Sequence, residues 1–290
     1  MKISILGTGL SGLVGSRIVE LLSGKYNFED LSFDTGIDIT DKTAVLNKFT
    51  SSKAVWVLHL AAKTDVNACQ IDKELGKKGN AWNINVEGTR NIVNAAAKTN
   101  KRVLFISSDF VFSGKKDFYQ EQDLPDPINW YGVTKYEGEK ITLKEKNNLV
   151  VRITYPYRAK CLTKKDFVHK IKTNLEESKV TQGVTDMIFA PTFIDDIAFS
   201  LDLLISQKQS GIYHVVGNSL ISPYMAALEI AHKLNLNKNL IQKTTAALFY
   251  KNVAPRPLLL RTKNDKIKTL GFVPKSFSQG LDEIIKQGIL

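Results

Sequence analysis

Tyr131 and Lys135 stand four residues apart in Tyr131-Gly132-Val133-Thr134-Lys135, a spacing that puts both side chains on one face of a helix. A tyrosine with a pKa of about 10 exchanges protons poorly at neutral pH unless a cation stabilises its phenolate. An ammonium one helical turn away can do that. Y-x-x-x-K alone is a weak signal, because a surface helix carries it by chance. Its position strengthens it: the pair follows Ile106-Ser107-Ser108-Asp109, and the apolar run before Ser108 reads as a strand whose carboxyl end faces a ligand crevice. The chemistry expected is proton transfer to a substrate oxygen. Ser108 bonds that oxygen, Tyr131 passes the proton, and Lys135 holds a ribose and tunes the tyrosine.

A second set of residues suits phosphates. Gly7-Thr8-Gly9-Leu10-Ser11-Gly12-Leu13-Val14-Gly15 lies between an apolar strand and an amphipathic helix. Glycines there permit a tight turn and a close approach of backbone to a pyrophosphate, and the helix start offers free N–H groups. A glycine-rich turn can also do no more than join strand to helix; the elements on both sides favour the dinucleotide reading. Asp34, roughly 20 residues on, is read as the acid at the end of the second strand that meets a ribose 2′-hydroxyl, leaning toward NAD.

The elements that would position these residues alternate as strands and helices, which implies a Rossmann-type doubly wound parallel α/β sheet. Strands are expected over Lys2–Leu6, Leu31–Phe33, Ala54–Leu60, Arg102–Ile106 and Leu149–Ile153. Helices are expected over Ser11–Leu22, Asn80–Ala97 and Tyr131–Glu145. Beyond Ile153 the pattern loosens, with helices near Asp166–Leu175 and Asp195–Ile205, strands near Lys179–Thr181 and Ile212–Val216, and a helix opened by Ser222-Pro223. The organisation suggests a cofactor domain over residues 1–153, joined by 190–216. A smaller, partly interleaved C-terminal substrate lobe would comprise 154–189 and 217–290.

The bulk composition is that of a soluble globular chain of 290 residues. The two cysteines, Cys69 and Cys161, show no metal-ligand spacing, and His169, His214 and His232 are scattered, so neither a disulfide framework nor a metal site is expected. His59, inside a strand, reads as a packed core residue, and Asp195-Asp196 as helix-start acids. The net charge of +11 comes from lysines spread along the chain. It reads as a solvated surface with a general attraction for anions rather than as a nucleic-acid site. The apolar start stops at Gly7, too soon for a signal peptide, and no apolar run reaches the roughly 20 residues of a membrane span, so a cytoplasmic protein is expected.

At this point the sequence resembles a known family, the extended short-chain reductases typified by dTDP-4-dehydrorhamnose reductase. Gly9, Gly12 and Gly15 have the G-x-x-G-x-x-G spacing of short-chain dehydrogenase/reductases. Ser107-Ser108-Asp109-Phe110-Val111-Phe112-Ser113-Gly114 is similar to S-T-D-Y-V-F-D-G, and Tyr131 to Glu139 to Y-G-x-T-K-x-x-G-E. Asp38-Ile39-Thr40-Asp41, Ala61-Ala62-Lys63, Asn85-Val86-Glu87-Gly88-Thr89, Pro191-Thr192, Gly211 to His214 and Arg256-Pro257 also match in order. The resemblance implies NADPH or NADH as cofactor, held by Gly9, Gly12, Leu13, Gly15, Asp34, Asp38, Ile39, Ala61, Ala62, Lys63, Asn85, Tyr131 and Lys135. It implies a nucleotide-linked 4-keto-6-deoxysugar as substrate, met by Asp109, Phe110, Tyr155 and Arg256. The departures are Phe110 for a tyrosine, Tyr155 for a tryptophan, Lys63 for a tyrosine, Met187 for a glutamine and Phe189 for a glycine. They fall toward the substrate side and leave the particular sugar open. Two other readings stay open: a nucleotide-sugar epimerase, and a non-catalytic NADP-binding subunit, since the regulatory beta subunit of methionine adenosyltransferase is similar to the same family. A homodimer is the assembly that the resemblance leaves open.

Overall fold

A computed structural model describes residues 2–161 and 164–289. In chain order it contains β1 (Ile3–Thr8), α1 (Leu13–Leu22), β2 (Tyr26–Asp30), α2 (Lys42–Ser51), β3 (Trp56–His59), α3 (Val66–Ile71), α4 (Asn80–Trp82) and α5 (Thr89–Lys98). It continues through β4 (Arg102–Ser108), α6 (Trp130–Thr142), β5 (Leu149–Ile153), β6 (Pro156–Tyr157), α7 (Phe167–Glu176) and β7 (Thr181–Val184). The last part holds β8 (Thr192–Phe193), α8 (Ile194–Ser206), β9 (Gly211–His214), α9 (Pro223–Lys233), β10 (Ile241–Thr244), α10 (Ala246–Phe249), α11 (Asp265–Lys268) and α12 (Phe277–Lys286).

Six strands form one parallel sheet in the order β2-β1-β3-β4-β5-β9. Its central strands β3, β4 and β5 are buried on both faces, so apolar residues there run on with few polar alternates. Successive side chains enter opposite cores. Ile5, Leu58, Leu104, Ile106 and Val151 pack on the side of α1 and α8; Leu6, Val57, Val103, Phe105 and Val150 pack on the side of α2, α5 and α6. The strand order turns back between β1 and β3, and at such a switch point a crevice opens beyond the carboxyl ends of the strands. The expected doubly wound α/β class is therefore what the chain adopts.

The second strand differs from its expected place. It runs over Tyr26–Asp30 and pairs with β1, Gly7 opposite Asp30. Tyr26 is buried and Asn27 exposed, the alternation of an edge strand, and this pattern is less apolar than Leu31–Phe33. Phe33–Thr35 instead forms a 3₁₀ turn closed by a Ser32–Thr35 capping box. The long helix expected over Asn80–Ala97 is interrupted by a π-helical stretch, Asn83–Gly88. The strand expected at Lys179–Thr181 lies later, at Thr181–Val184.

After Ile153 the chain leaves the sheet and returns to it at β9. Two small parallel pairs, β7 with β10 and β6 with β8, accompany a separate core built on Tyr157, Val168, Phe189, Ile230, Phe277 and Leu281. Among the described residues no helix is long and apolar enough to cross a membrane.

Candidate active site

The crevice at the switch point is a cavity of about 690 Å³. The turn after β1 forms one end, Leu60, Ala61 and Ala62 after β3 its floor, Ser107 to Phe110 after β4 its centre, and Ile153, Tyr155 and Pro156 after β5 its far wall.

The glycine turn is shaped by close contacts. Gly9 has φ +67°, and a side-chain carbon there would meet the Ala61 nitrogen at 2.8 Å; one on Gly15 would meet the Gly9 carbonyl oxygen at 2.4 Å. Gly12 is the N-cap of α1, with no side-chain cap and no acid in the first turn. The helix start, with its unshared N–H groups and positive dipole end, therefore borders the cavity through Gly12 and Leu13.

The acid beside this turn is Asp30, not Asp34. Asp30 ends β2 opposite Gly7; its Oδ2 accepts the Ser32 hydroxyl at 2.6 Å, and its Oδ1 is buried without a partner. Asp34 sits exposed in the 3₁₀ turn. Recognising Tyr-Asn-Phe-Glu-Asp as an edge strand would have found Asp30.

Other expected cofactor residues are used inside the fold. Asp38 accepts the Thr40 N–H at 2.8 Å, and Ile39 is buried against Gly88. The Asn85 amide accepts the Lys63 N–H at 2.8 Å and donates to the Lys63 carbonyl and to Thr134 Oγ1. It thereby ties the segment after β3 to α6. The Lys63 ammonium is paired with Asp72 at 2.7 Å. Asp30, Asp34, Asp38, Ile39, Lys63 and Asn85 do not line the cavity, whereas Gly9, Gly12, Leu13, Gly15, Ala61 and Ala62 do.

Ser108, Tyr131 and Lys135 come together on the cavity wall. Asn129 caps α6 by accepting the Gly132 N–H at 2.8 Å and donates to the Pro255 carbonyl, which anchors this end of the helix. Ser108 accepts the Phe110 N–H and donates to Asp109 Oδ1, both at 3.2 Å. Burial pushes the Tyr131 phenol above its usual range, and the Ser108 hydroxyl acts against it. The Lys135 ammonium donates to the Ile106 carbonyl at 2.7 Å and lies 4.0 Å from the Phe105 ring centre. Burial pulls it down to about 7, against the opposing influence of Glu139. Burial also pushes the Asp109 carboxyl up to about 7, although hydroxyls of Thr154 and Ser108 act against it.

The far wall is aromatic. Tyr155 has φ +37°, a strained conformation for a non-glycine residue. Its ring lies 4.5 Å from that of Phe189 and 6.2 Å from those of Phe110 and Phe167. Asp109, Phe110 and Tyr155 line the cavity as expected for substrate contacts, and Arg256 does not. Its guanidinium donates to Asn67 on α3 at 2.8 Å and to the Ala254 carbonyl at 2.6 Å. The residues missed are Lys164, Lys165, Asp166, Phe167 and Lys170, which add lysines to the lining, although the Lys165 ammonium donates to Thr173 Oγ1 at 2.9 Å. In the sequence Lys164-Lys165 is one lysine pair among several, and nothing local distinguishes it.

His59 is a core residue, bonded to Thr8 and Thr89 and held down to about 3 by burial. Asp195 and Asp196 open α8 and pair with Arg17 and Lys275.

The chain matches the family model described as the RmlD substrate binding domain over residues 1–289. It is 29% identical to the dTDP-4-dehydrorhamnose reductase of Aggregatibacter actinomycetemcomitans over 97% of both chains. It is 28% identical to methionine adenosyltransferase 2 subunit beta of Pongo abelii, over 96% of this chain and 86% of the other. The crystal structure of dTDP-4-dehydrorhamnose reductase from Bacillus anthracis in complex with NADP superposes with a TM-score of 0.90 at 26% identity, covering 99% of this chain and 100% of that one.

Proposed function

This chain belongs to the RmlD substrate binding domain family, and on that premise we propose that it is an NAD(P)H-dependent reductase of a nucleotide-linked 4-keto-6-deoxysugar. One observation carries the reading: a single cavity runs from the glycine turn at the start of α1 to Ser108, Tyr131 and Lys135. The relatives add to it, since a reductase matches the whole length of the chain and a related structure holds NADP.

The residues at the turn fit a dinucleotide. Side-chain carbons at Gly9 and Gly15 would collide with the backbone that shapes the turn, the α1 start carries no competing acid, and Asp30 Oδ1 has no partner of its own. Gly9, Gly12 and Leu13 would hold the pyrophosphate, and Asp30 a ribose hydroxyl. When bound, NAD(P)H supplies the hydride that reduces the sugar ketone.

The chain's own residues manage the proton. Tyr131 gives its phenolic proton to the former carbonyl oxygen, while Ser108 donates a hydrogen bond to the same atom. In its protonated form Lys135, whose ammonium burial pulls down to about 7, would stabilise the phenolate left behind. Asp109 controls Ser108. An ionised Asp109 draws the Ser108 proton to itself, whereas a protonated one donates to Ser108 Oγ and frees that proton for the substrate. Lys164 and Lys170, which line the cavity, would meet the nucleotide's phosphates. A cofactor domain over 1–153 with 190–216, a substrate lobe over the rest, a cytoplasmic location and a homodimer belong to the same reading.

The test is oxidation of NADPH and NADH against a panel of dTDP- and UDP-linked 4-keto sugars. Cofactor consumption with formation of the 6-deoxy alcohol is the expected result. Sugar interconversion without net consumption would mark an epimerase. Dinucleotide binding with no turnover on any sugar would mark a regulatory subunit, the reading that likeness to the beta subunits favours.

A further inference from the structure

Beside the cavity, at the start of α7, the fold brings together Cys161, Asp166 and His169, which the spacing of cysteines and histidines leaves unconnected. One donor atom from each lies within 4.8 Å of the others. Asp166 and His169 are 5% and 3% exposed, and Cys161 is half-buried, so the group is approached from the cysteine side. The carboxylate is held by two backbone amides: Oδ1 accepts the His169 N–H and Oδ2 the Arg158 N–H, each at 3.0 Å.

The imidazole is oriented as well. His169 Nε2 lies 3.0 Å from the Ala159 carbonyl oxygen, which can only accept, so Nε2 carries a proton. Nδ1 is therefore the nitrogen turned inward, 2.9 Å from Asp166 Oδ1 and 3.3 Å from Cys161 Sγ. Sγ in turn lies 3.4 Å from Asp166 Oδ2. A capped helix start with a histidine–aspartate pair accounts for two of these groups. It gives no reason for a thiol to converge on both.

We propose that Cys161, Asp166 and His169 bind a borderline-soft divalent cation, with Zn²⁺ the best fit. Thiolate, imidazole and carboxylate are its ordinary protein ligands. At bond lengths of about 2.0–2.3 Å, tetrahedral ligand atoms stand roughly 3.3–3.8 Å apart, so the Sγ–Nδ1 pair at 3.3 Å and the Sγ–Oδ2 pair at 3.4 Å need to open by only a few tenths of an ångström. The carbonyl that holds the outer nitrogen of the imidazole is the support a metal-bound histidine usually has. Binding displaces the Cys161 thiol proton and the proton that His169 Nδ1 donates to Asp166 Oδ1, both of which pass to solvent. The fourth position is left for water. Lys164, Lys165 and Phe167 lie between the ligands in sequence and border the cavity, so the ion would fasten that wall.

The experiment uses the full chain freed of metals by chelator. Titration with Co²⁺ should develop a near-ultraviolet thiolate charge-transfer band that saturates at one ion per chain and is bleached by Zn²⁺. Cys161→Ser should abolish the band. Both Cys161→Ser and His169→Gln should weaken Zn²⁺ binding in calorimetry by at least about tenfold, the loss that removal of even an outer partner brings. Zn²⁺ should raise the melting temperature of the parent protein and not that of Cys161→Ser, whose fold is checked by circular dichroism. No band and no heat in the parent protein would overturn the proposal. So would a band that survives Cys161→Ser, since it would place the ion elsewhere.

Discussion

Gly132 lies against the carbonyl of Phe110 so closely that a side-chain carbon there would stand 2.1 Å from its oxygen. The missing side chain lets α6 press onto the turn that follows β4, which brings the helix start that carries Tyr131 against the segment that carries Ser108. Gly132→Ala should push the helix start outward. A displacement near 1 Å between reacting groups costs on the order of 10²-fold in rate. Steady-state kinetics on a variant with unchanged circular dichroism should show that loss in kcat; parent-like turnover would mean the helix position is unimportant.

Tyr131→Phe removes one oxygen and keeps the ring that packs edge-on to Phe110. Folding and dinucleotide binding should survive, and turnover should fall by about 10²–10⁴, the usual worth of a positioned acid. Lys135→Met should lower both turnover and cofactor affinity. Fluorescence titration with NADPH separates the two effects: a Lys135→Met protein that binds normally would remove this lysine from the cofactor site.

Asp30 and Asp34 can be told apart by cofactor preference. Asp30→Ala should weaken NADH binding and shift the balance toward NADPH, because a carboxylate beside the ribose repels a 2′-phosphate. Asp34→Ala should leave both affinities as they are. The reverse outcome in paired calorimetric titrations would return the role to the exposed turn.

Asp109 should impose a pH dependence. Its carboxyl is raised to about 7 by burial, so the protonated form that frees Ser108 predominates below neutrality. Activity attributable to this group should fall as pH rises through about 7, and Asp109→Asn should flatten that limb. Stability follows the same direction. A folded-state pKa above the unfolded one means that stability is fully present below about 4 and is lost as pH rises through about 7. Melting curves should therefore show Asp109→Asn gaining on the parent protein between pH 5 and pH 8. A constant difference across that range would show that Asp109 stays ionised throughout.

The local order of residues determined the fold class and the chemistry. Strands buried on both faces leave uninterrupted apolar runs, and a glycine turn between strand and helix has few other uses, so β1, α1, β4 and α6 could be read with Gly9, Gly12, Ser108, Tyr131 and Lys135 on them. What depends on contacts between distant segments could not be read. The edge strand β2 is half-exposed and its apolar signal is weak, so its end at Asp30 rather than near Asp34 is visible only in the pairing with β1. Lys63, Asn85 and Arg256 carry suitable groups, but Asp72, Thr134 and Asn67 claim them. Only tertiary structure decides which polar side chains are satisfied within the protein and which face the cavity. The same holds for Lys164 to Lys170 and for Cys161, Asp166 and His169. The turn leading into α7 carries these residues to one place, and no periodicity along the chain records it.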